Sequence, residues 1–323
     1  MPEDAGSAPS DGGTMGSPTF AGASISIPAA FPAMPGSPRR PHSGGLLPSP
    51  CPLWGGNDTS PHDVLTFLGT GDAPGTPRLH CGCAVCEGAR KDPSLSRSRS
   101  SALIQGSGGR LLIDCGPDLR SQLEAQTTRR LPEDVLLTHA HHDHIGGIPD
   151  LSDACLWSGQ KVVVHAPSVV IEEVQRRYPW VGRSLTFSAV DAAWRWGSWG
   201  LSVWSVSHGA NGRSHAYRFD RPPYAFAYCP DSFRLTEEEL APMQGVDLLV
   251  IGATHLDESM APPERRSLYS VREIADLLPR LAARQAIITH MSHTVPASGL
   301  PALPAGMILA RDGLEVPLEA APS

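Results

Sequence analysis

One stretch limits what this chain can fold into more than any other: Val135-Leu136-Leu137-Thr138-His139-Ala140-His141-His142-Asp143-His144-Ile145-Gly146-Gly147. It begins as a short apolar β-run and ends in a His-x-His-x-Asp-His cluster closed by paired glycines. A strand feeding a tight loop can turn His139 and His141 one way and Asp143 and His144 the other. That arrangement suits two adjacent metal ions better than one. Neutral imidazoles with a carboxylate are donors that Zn²⁺ or Mn²⁺ accepts. A solvated histidine-rich loop of weak metal affinity would explain the histidines alone. It does not explain the β-run, the aspartate and the glycine pair together, so the stretch predicts a metal site.

A second cluster, Cys81-Gly82-Cys83-Ala84-Val85-Cys86, supplies three thiolates within one loop. A closed structural Zn²⁺ site takes four such ligands, and the fourth is not local. His80 is adjacent but would strain the loop by ligating beside Cys81. The alternative lies far off, in Thr289-His290-Met291-Ser292-His293, where a spacing of three suggests one histidine for the catalytic pair and one for the Cys loop. The cysteine count is odd, seven in all, and tight spacing in an intracellular chain reads as metal binding before disulfides.

A formal net charge of −7 leaves no chain-wide basic footprint, which argues against a nucleic-acid partner. No apolar run reaches the roughly eighteen residues that a membrane helix requires, so no membrane partner is expected. The first residues, Met1-Pro2-Glu3-Asp4, lack the basic start of a signal peptide. Cytoplasm is the expected location. Residues 1–60 are rich in Pro, Gly, Ser and Ala without apolar periodicity, and are expected to form a disordered leader that cannot offset its ordering entropy. Residues 61–323 then form one domain.

Within that domain Val64 to Gly71 reads as a strand running into a glycine turn. Its extension, Asp72 to Pro77, lacks the Gly-Lys-Ser/Thr ending of a P-loop, and no helix pattern follows. Ser101 to Gln105 and Arg110 to Asp114 flank a Ser-Gly-Gly turn as a hairpin. Helical spacing covers Asp118 to Gln126, Gly147 to Leu156 and Ser168 to Tyr178. A Trp-rich turn precedes the strand Leu201 to His208, a strand pair surrounds Arg221-Pro222-Pro223, and Ser270 with Glu273 opens a helix with a capping box. A short hairpin around Arg311-Asp312-Gly313 is expected to end the domain.

The motif His139-Ala140-His141-His142-Asp143-His144 resembles the signature of the metallo-β-lactamase superfamily. That resemblance implies an α/β fold, an αβ/βα sandwich of two mixed sheets with helices on the outer faces, and a dinuclear site at its edge. It implies His139, His141 and His208 on one ion, and Asp143, His144 and His290 on the other. Asp231, at the end of Tyr224 to Cys229, is the implied bridging ligand. Asp114, at the end of its strand, is placed to accept the second N–H of a ligand histidine. The Leu68-Gly69-Thr70-Gly71 opening, the three cysteines and the late Thr-His-x-Ser-His together look like the PhnP family of cyclic-phosphate phosphodiesterases. There the implied structural zinc ligands are Cys81, Cys83, Cys86 and His293.

The expected function is hydrolysis of a small cyclic or nucleotide-like phosphodiester by a metal-bridged hydroxide, with Asp143 and His255 as catalytic residues. Two divalent ions, Zn²⁺ or Mn²⁺, would serve the reaction and one Zn²⁺ the structure. Leu268 stands where the PhnP family offers a histidine as proton donor, and His255 is the nearest replacement. Arg97 and Arg99 could pair with a substrate phosphate. The competing readings are a tRNase Z-like nuclease and a PqqB-like member of cofactor biosynthesis. A homodimer is compatible with all three.

Overall fold

The computed structural model describes residues 63–128, 130–296 and 302–319. The leader expected over 1–60 lies outside the described residues. Apolar runs that alternate about a turn become strands, and the first half of the chain contributes β1 (Val64–Gly69), β2 (Ser101–Gly106), β3 (Gly109–Ile113), β4 (Asp134–Leu136), β5 (Val162–Ala166) and β6 (Leu185–Ala189). The second half adds β7 (Trp194–Trp196), β8 (Trp199–Ser207), β9 (Arg213–Arg221), β10 (Tyr224–Cys229), β11 (Leu248–Gly252), β12 (Gln285–Thr289), β13 (Met307–Leu309) and β14 (Glu315–Pro317). Between them run α1 (Ala84–Lys91), α2 (Leu119–Glu124), α3 (His142–Ile145), α4 (Ile148–Ser158), α5 (Ser168–Arg177), α6 (Glu237–Leu240) and α7 (Val271–Leu281).

The strands form two mixed sheets, in the orders β14-β1-β2-β3-β4-β5-β6 and β13-β12-β11-β10-β9-β8-β7. Strand alternation sorts the side chains into three apolar layers. Leu65, Phe67, Ile104, Leu111 and Ile113 face the second sheet and meet Trp199, Phe219, Phe226, Leu248 and Val250. Their neighbours Leu103 and Leu112 point the other way, onto α2, α4 and α5. Leu249 and Ile251 likewise turn outward onto α7. Strands buried on both faces read as near-continuous apolar runs, as these do. The result is the αβ/βα sandwich.

The central layer is aromatic. Phe219 and Phe226 stack at 4.3 Å, and Trp199 meets Phe226 edge-on at 5.4 Å. The Trp199 indole N–H donates to Asp63 at 2.7 Å, so its one polar atom is satisfied inside the core. On the outer face, the capping box at α7 is present in both directions: Ser270 accepts from the Glu273 N–H, and Glu273 accepts from the Ser270 N–H.

Three expectations are corrected. Arg311-Asp312-Gly313 does not close a hairpin: β13 pairs with β12 in one sheet and β14 with β1 in the other. The turn is a crossing between sheets, and it is fixed because the Asp312 carboxylate accepts from Thr70, the Ser98 N–H and the Ser98 hydroxyl. A helix does follow the Asp72–Pro77 turn, because Cys83 caps α1 by accepting from the Cys86 N–H. Cys86 therefore sits in a helical first turn and not in a loop. The Trp-rich turn contains β7, whose Trp194 and Trp196 pair with Leu201 and Trp199.

Candidate metal centres

Strand ends bring the site together. β3, β4 and β5 run parallel in one sheet, as do β10, β11 and β12 in the other. Asp114 follows β3, His139 follows β4, His208 follows β8, Asp231 follows β10 and His290 follows β12, so five functional side chains emerge at one edge of the sandwich. The glycines permit close backbone approach there. A Cβ on Gly147 would lie 2.3 Å from the Gly116 carbonyl oxygen, and one on Gly252 would lie 1.6 Å from that of Pro230, beside Asp231. Asp114 and His290 both take left-handed φ, near 60° and 57°. Such a conformation costs roughly 1–2 kcal/mol for a residue with a side chain, and strain of this kind gathers at functional sites.

Three donor groups overlap. His139, His141 and His208 form one, His139, His144 and Asp231 a second, and Asp143, His144 and His290 a third. The Asp231 carboxylate faces both sides: its Oδ2 lies 3.1 Å from His144 Nε2, and its Oδ1 lies 3.4 Å from His290 Nε2 and 3.6 Å from His208 Nε2. Asp143 Oδ2 is 3.4 Å from His144 Nε2 and 3.3 Å from His290 Nε2. Two ligands about 2.0–2.1 Å from one ion at a tetrahedral angle are about 3.3 Å apart, so these spacings are those of an ion's ligand shell. His144 Nε2 and Asp231 Oδ2 are buried and have no hydrogen-bond partner among the described residues. Buried polar atoms are normally paired, and a shared ion would satisfy both.

The electrostatics agree. Burial, helped by neighbouring imidazoles, pushes His139 and His141 below the ordinary imidazole range, and burial does the same to His208. Those three are neutral donors at neutral pH. Burial opposes charge on His144 and His290 too, but the carboxylates of Asp143 and Asp231, with Asp114 beside His144, outweigh it and hold both above the usual range. The same pairs hold Asp143 and Asp231 well below the carboxylate range although burial opposes it. This half of the site calls for positive charge, which a divalent ion would supply.

Outer partners fix the imidazoles. His144 Nδ1–H donates to Asp114 at 2.7 Å, and the Thr138 N–H donates to the same carboxylate at 2.8 Å. His208 Nδ1–H donates to the Ser267 carbonyl at 2.9 Å. Asp114→Asn would set an amide N–H against an imidazole N–H or lose the Thr138 bond. We expect it to weaken metal binding about 10–100-fold, the range for removing such a partner. Competition against a chromogenic chelator measures this, and unchanged affinity would remove Asp114 from the site.

Cys81, Cys83, Cys86 and His293 form a separate group. The three sulfurs lie 3.5, 3.5 and 3.2 Å from His293 Nδ1. Zinc bonds of about 2.3 Å to sulfur and 2.0–2.1 Å to nitrogen place such ligands roughly 3.5 Å apart. Hydrogen bonding from the Cys86 N–H, then from Cys81, lowers the Cys83 thiol to about 6, which favours the thiolate. His80 takes no part in the group.

Other residues are not where the sequence placed them. Arg97 is buried, its Nη1 donates to the carbonyls of Ser292 and Val295, and it braces the segment after His290 without lining the cleft. Arg99 is tied to Asp118 and to the Ala73 carbonyl. His255 does not line the metal cleft; its Nδ1 lies 2.6 Å from Thr294 Oγ1, and it faces a neighbouring opening with Asp257 and Met260. The cleft of about 250 Å³ beside the donor groups is lined instead by Asp72, Asn211, Glu258, Arg265, Arg266 and Leu268, among others. Leu268 and the turn that begins at Asp72 were noted in the sequence; Asn211, Glu258, Arg265 and Arg266 were given no role there, because no spacing rule marks a residue that reaches a site from a loop.

The sequence model of the β-lactamase superfamily domain matches residues 109–291. An octanoyltransferase of Porphyromonas gingivalis is 27% identical over 262 residues, 77% of this chain, but the chain spans only 50% of that relative's length. Among solved structures, a diphosphatase of the PhnP family superposes with a TM-score of 0.68 at 26% identity, covering 80% of this chain and 98% of that one. Zinc-bound PqqB from Methylobacterium extorquens superposes at 0.65 with 20% identity, covering 78% and 99%, and shows the shared fold alone.

Proposed function

The chain belongs to the β-lactamase superfamily as a hydrolase of the metallo-β-lactamase fold, and from that premise we propose that it is a dinuclear-metal phosphodiesterase acting on a small cyclic or nucleotide-like phosphodiester. The observation that carries this reading is the set of three overlapping donor groups, linked through His139 and His144, with the Asp231 carboxylate between His144, His208 and His290 beside a small cleft. His139, His141 and His208 would hold one ion, and Asp143, His144 and His290 the other, with Asp231 between them. When bound, two such ions acidify coordinated water and neutralise charge developing on a phosphoryl group. The protein's own part is to fix the donors: Asp114 aligns His144, and the Ser267 carbonyl aligns His208. Cys81, Cys83, Cys86 and His293 would hold a structural Zn²⁺ that is separate from the reaction. Acyl transfer, the activity in the name of the Porphyromonas gingivalis relative, is not proposed, since the match accounts for half of that protein.

Metal-replete protein assayed against bis-p-nitrophenyl phosphate and a precursor tRNA tests the reading. Turnover of the small diester without cleavage of the RNA is expected; RNA cleavage at the higher kcat/KM would favour the nuclease reading instead. Because His255 is not among the residues that line the cleft, His255→Ala should leave the rates on 2′,3′-cyclic AMP and on bis-p-nitrophenyl phosphate alike. A proton donor would be worth roughly 10²–10⁴-fold on the cyclic nucleotide, whose leaving alkoxide needs protonation. A selective loss of that size would return His255 to the site.

A further inference from the structure

With zinc on Cys81, Cys83, Cys86 and His293 as the premise, and independently of the reaction in the cleft, we propose that Cys83 and Cys86 are an oxidation site. A hydroperoxide converts their two thiolates to a disulfide and so empties the structural zinc site. The three thiols of the group are unequal. Cys83 is exposed, Cys81 is half-buried and Cys86 is buried. The group therefore opens one of its sulfur-bearing residues to solvent, which a purely structural site does not require.

Local structure pairs the exposed cysteine with the buried one. Cys83 is the N-cap of α1 and Cys86 is its third residue, so both belong to the first turn, and Cys83 Sγ accepts the Cys86 N–H at 3.5 Å. Their spacing, Cys83-Ala84-Val85-Cys86, is that of a Cys-x-x-Cys at a helix start, a setting used for thiol–disulfide chemistry. Cys81 precedes the helix, and its N–H turns back to the Arg78 carbonyl at 3.3 Å. Positive charge gathers around the group. Arg90 donates to the carbonyls of Cys81 and Arg78, and the one acidic residue of α1, Glu87, is paired with Arg90. Reactive cysteines sit in electropositive, partly exposed surroundings of this kind. The other described cysteines, Cys115, Cys155 and Cys229, are buried.

The peroxide is the oxidant in a two-step exchange. The Cys83 sulfur attacks the terminal peroxide oxygen; an S–O bond forms, the O–O bond breaks, and an alkoxide leaves and takes a proton from solvent. The Cys86 thiolate then attacks the sulfenic sulfur of Cys83; the S–S bond forms, the S–O bond breaks, and hydroxide leaves. Two electrons have passed from the pair of sulfurs to the peroxide. Cys81 and His293 remain, and two ligands do not retain a zinc that takes four. Arg78 carries the change inward. Its N–H donates to Cys86 Sγ, and its guanidinium spans Asp72, on the cleft wall, and Ser292. Oxidation should therefore destabilise the protein as removal of the zinc does.

The test treats the full chain, cleared of labile ions by brief EDTA treatment and desalted, with tert-butyl hydroperoxide beside the zinc dye 4-(2-pyridylazo)resorcinol. Close to one zinc per chain should be released. Alkylation and peptide mass spectrometry should find Cys83 joined to Cys86, Cys81 open to the reagent, and Cys115, Cys155 and Cys229 still reduced. The melting temperature should fall to that of Cys83→Ser. Dithiothreitol with added Zn²⁺ should restore both the zinc and the melting temperature. Zinc retained while an added glutathione standard is consumed overturns the proposal, as does a disulfide that joins Cys83 to any cysteine other than Cys86. A loss that dithiothreitol does not reverse also overturns it, since that marks oxidation beyond the sulfenic stage. Zinc absent from the reduced protein overturns the zinc assignment as well.

Discussion

His290→Asn is expected to abolish hydrolysis while leaving the fold intact. His290 takes a left-handed φ, and asparagine tolerates that conformation better than most residues, so the substitution isolates the lost imidazole from backbone strain. Its Nε2 stands within 3.4 Å of both Asp143 and Asp231, the two carboxylates of the cluster, so its removal opens the ligand set at its centre. The loss should exceed the roughly 10–100-fold that removing an outer partner such as Asp114 costs. The loss should fall in kcat with the content of labile metal. His293→Ala, three residues on, should behave in the opposite way, with less structural zinc and a lower melting temperature. Residual activity should then follow the folded fraction. If His290→Asn kept most of its turnover at full metal content, the assignment of this cluster to catalysis would be wrong.

Much of this contrast was legible in the sequence because metal donors at strand ends follow local rules. The cluster from His139 to His144 carries its own geometry, since β4 stops at Leu136 and four helical residues, His142–Ile145, turn Asp143 and His144 back toward the strand end. His208, Asp231 and His290 each follow a strand that alternation or an apolar run predicts. Side-chain direction outside the strands was not legible. Arg97 and Arg99 look like free cations in a polar loop, yet Arg97 is turned inward by the carbonyls of Ser292 and Val295, about two hundred residues later in the chain. His255 follows an apolar run as His290 does, but β11 ends at Gly252 and the chain turns through Ala253 and Thr254 before reaching it. The link from Ser267 to His208 is a backbone carbonyl, which leaves no mark in residue identity. The hairpin at Arg311-Asp312-Gly313 failed for a related reason. The turn residues are real, but the partners of β13 and β14 are chosen by the two sheets and not by the turn.

The second large effect separates the two kinds of metal. Brief treatment with EDTA should strip the ions held by the histidine and aspartate cluster and remove activity with little change in melting temperature, since those ligands line an open cleft. One zinc per chain should remain on Cys81, Cys83, Cys86 and His293, because a four-ligand closed site releases its ion slowly. Cys83→Ser should remove that zinc and lower the melting temperature. The reach of the effect is set by contacts that converge there. Arg78 donates its N–H to Cys86 Sγ, and its guanidinium binds Asp72 and Ser292. Arg90 binds the carbonyls of Cys81 and Arg78. A zinc held there would tie the segment from Arg78 through α1 to the strand end that carries His290. Structural zinc binding can contribute on the order of 10 kcal/mol, and losing even about 4 kcal/mol lowers the melting temperature of a domain this size by roughly 8–16 °C. Metal analysis beside calorimetric melting distinguishes the cases. If activity survives complete removal of the labile ions, the hydrolytic cluster is not what the geometry says it is; if Cys83→Ser keeps both its zinc and its melting temperature, the thiolate group is held by other ligands.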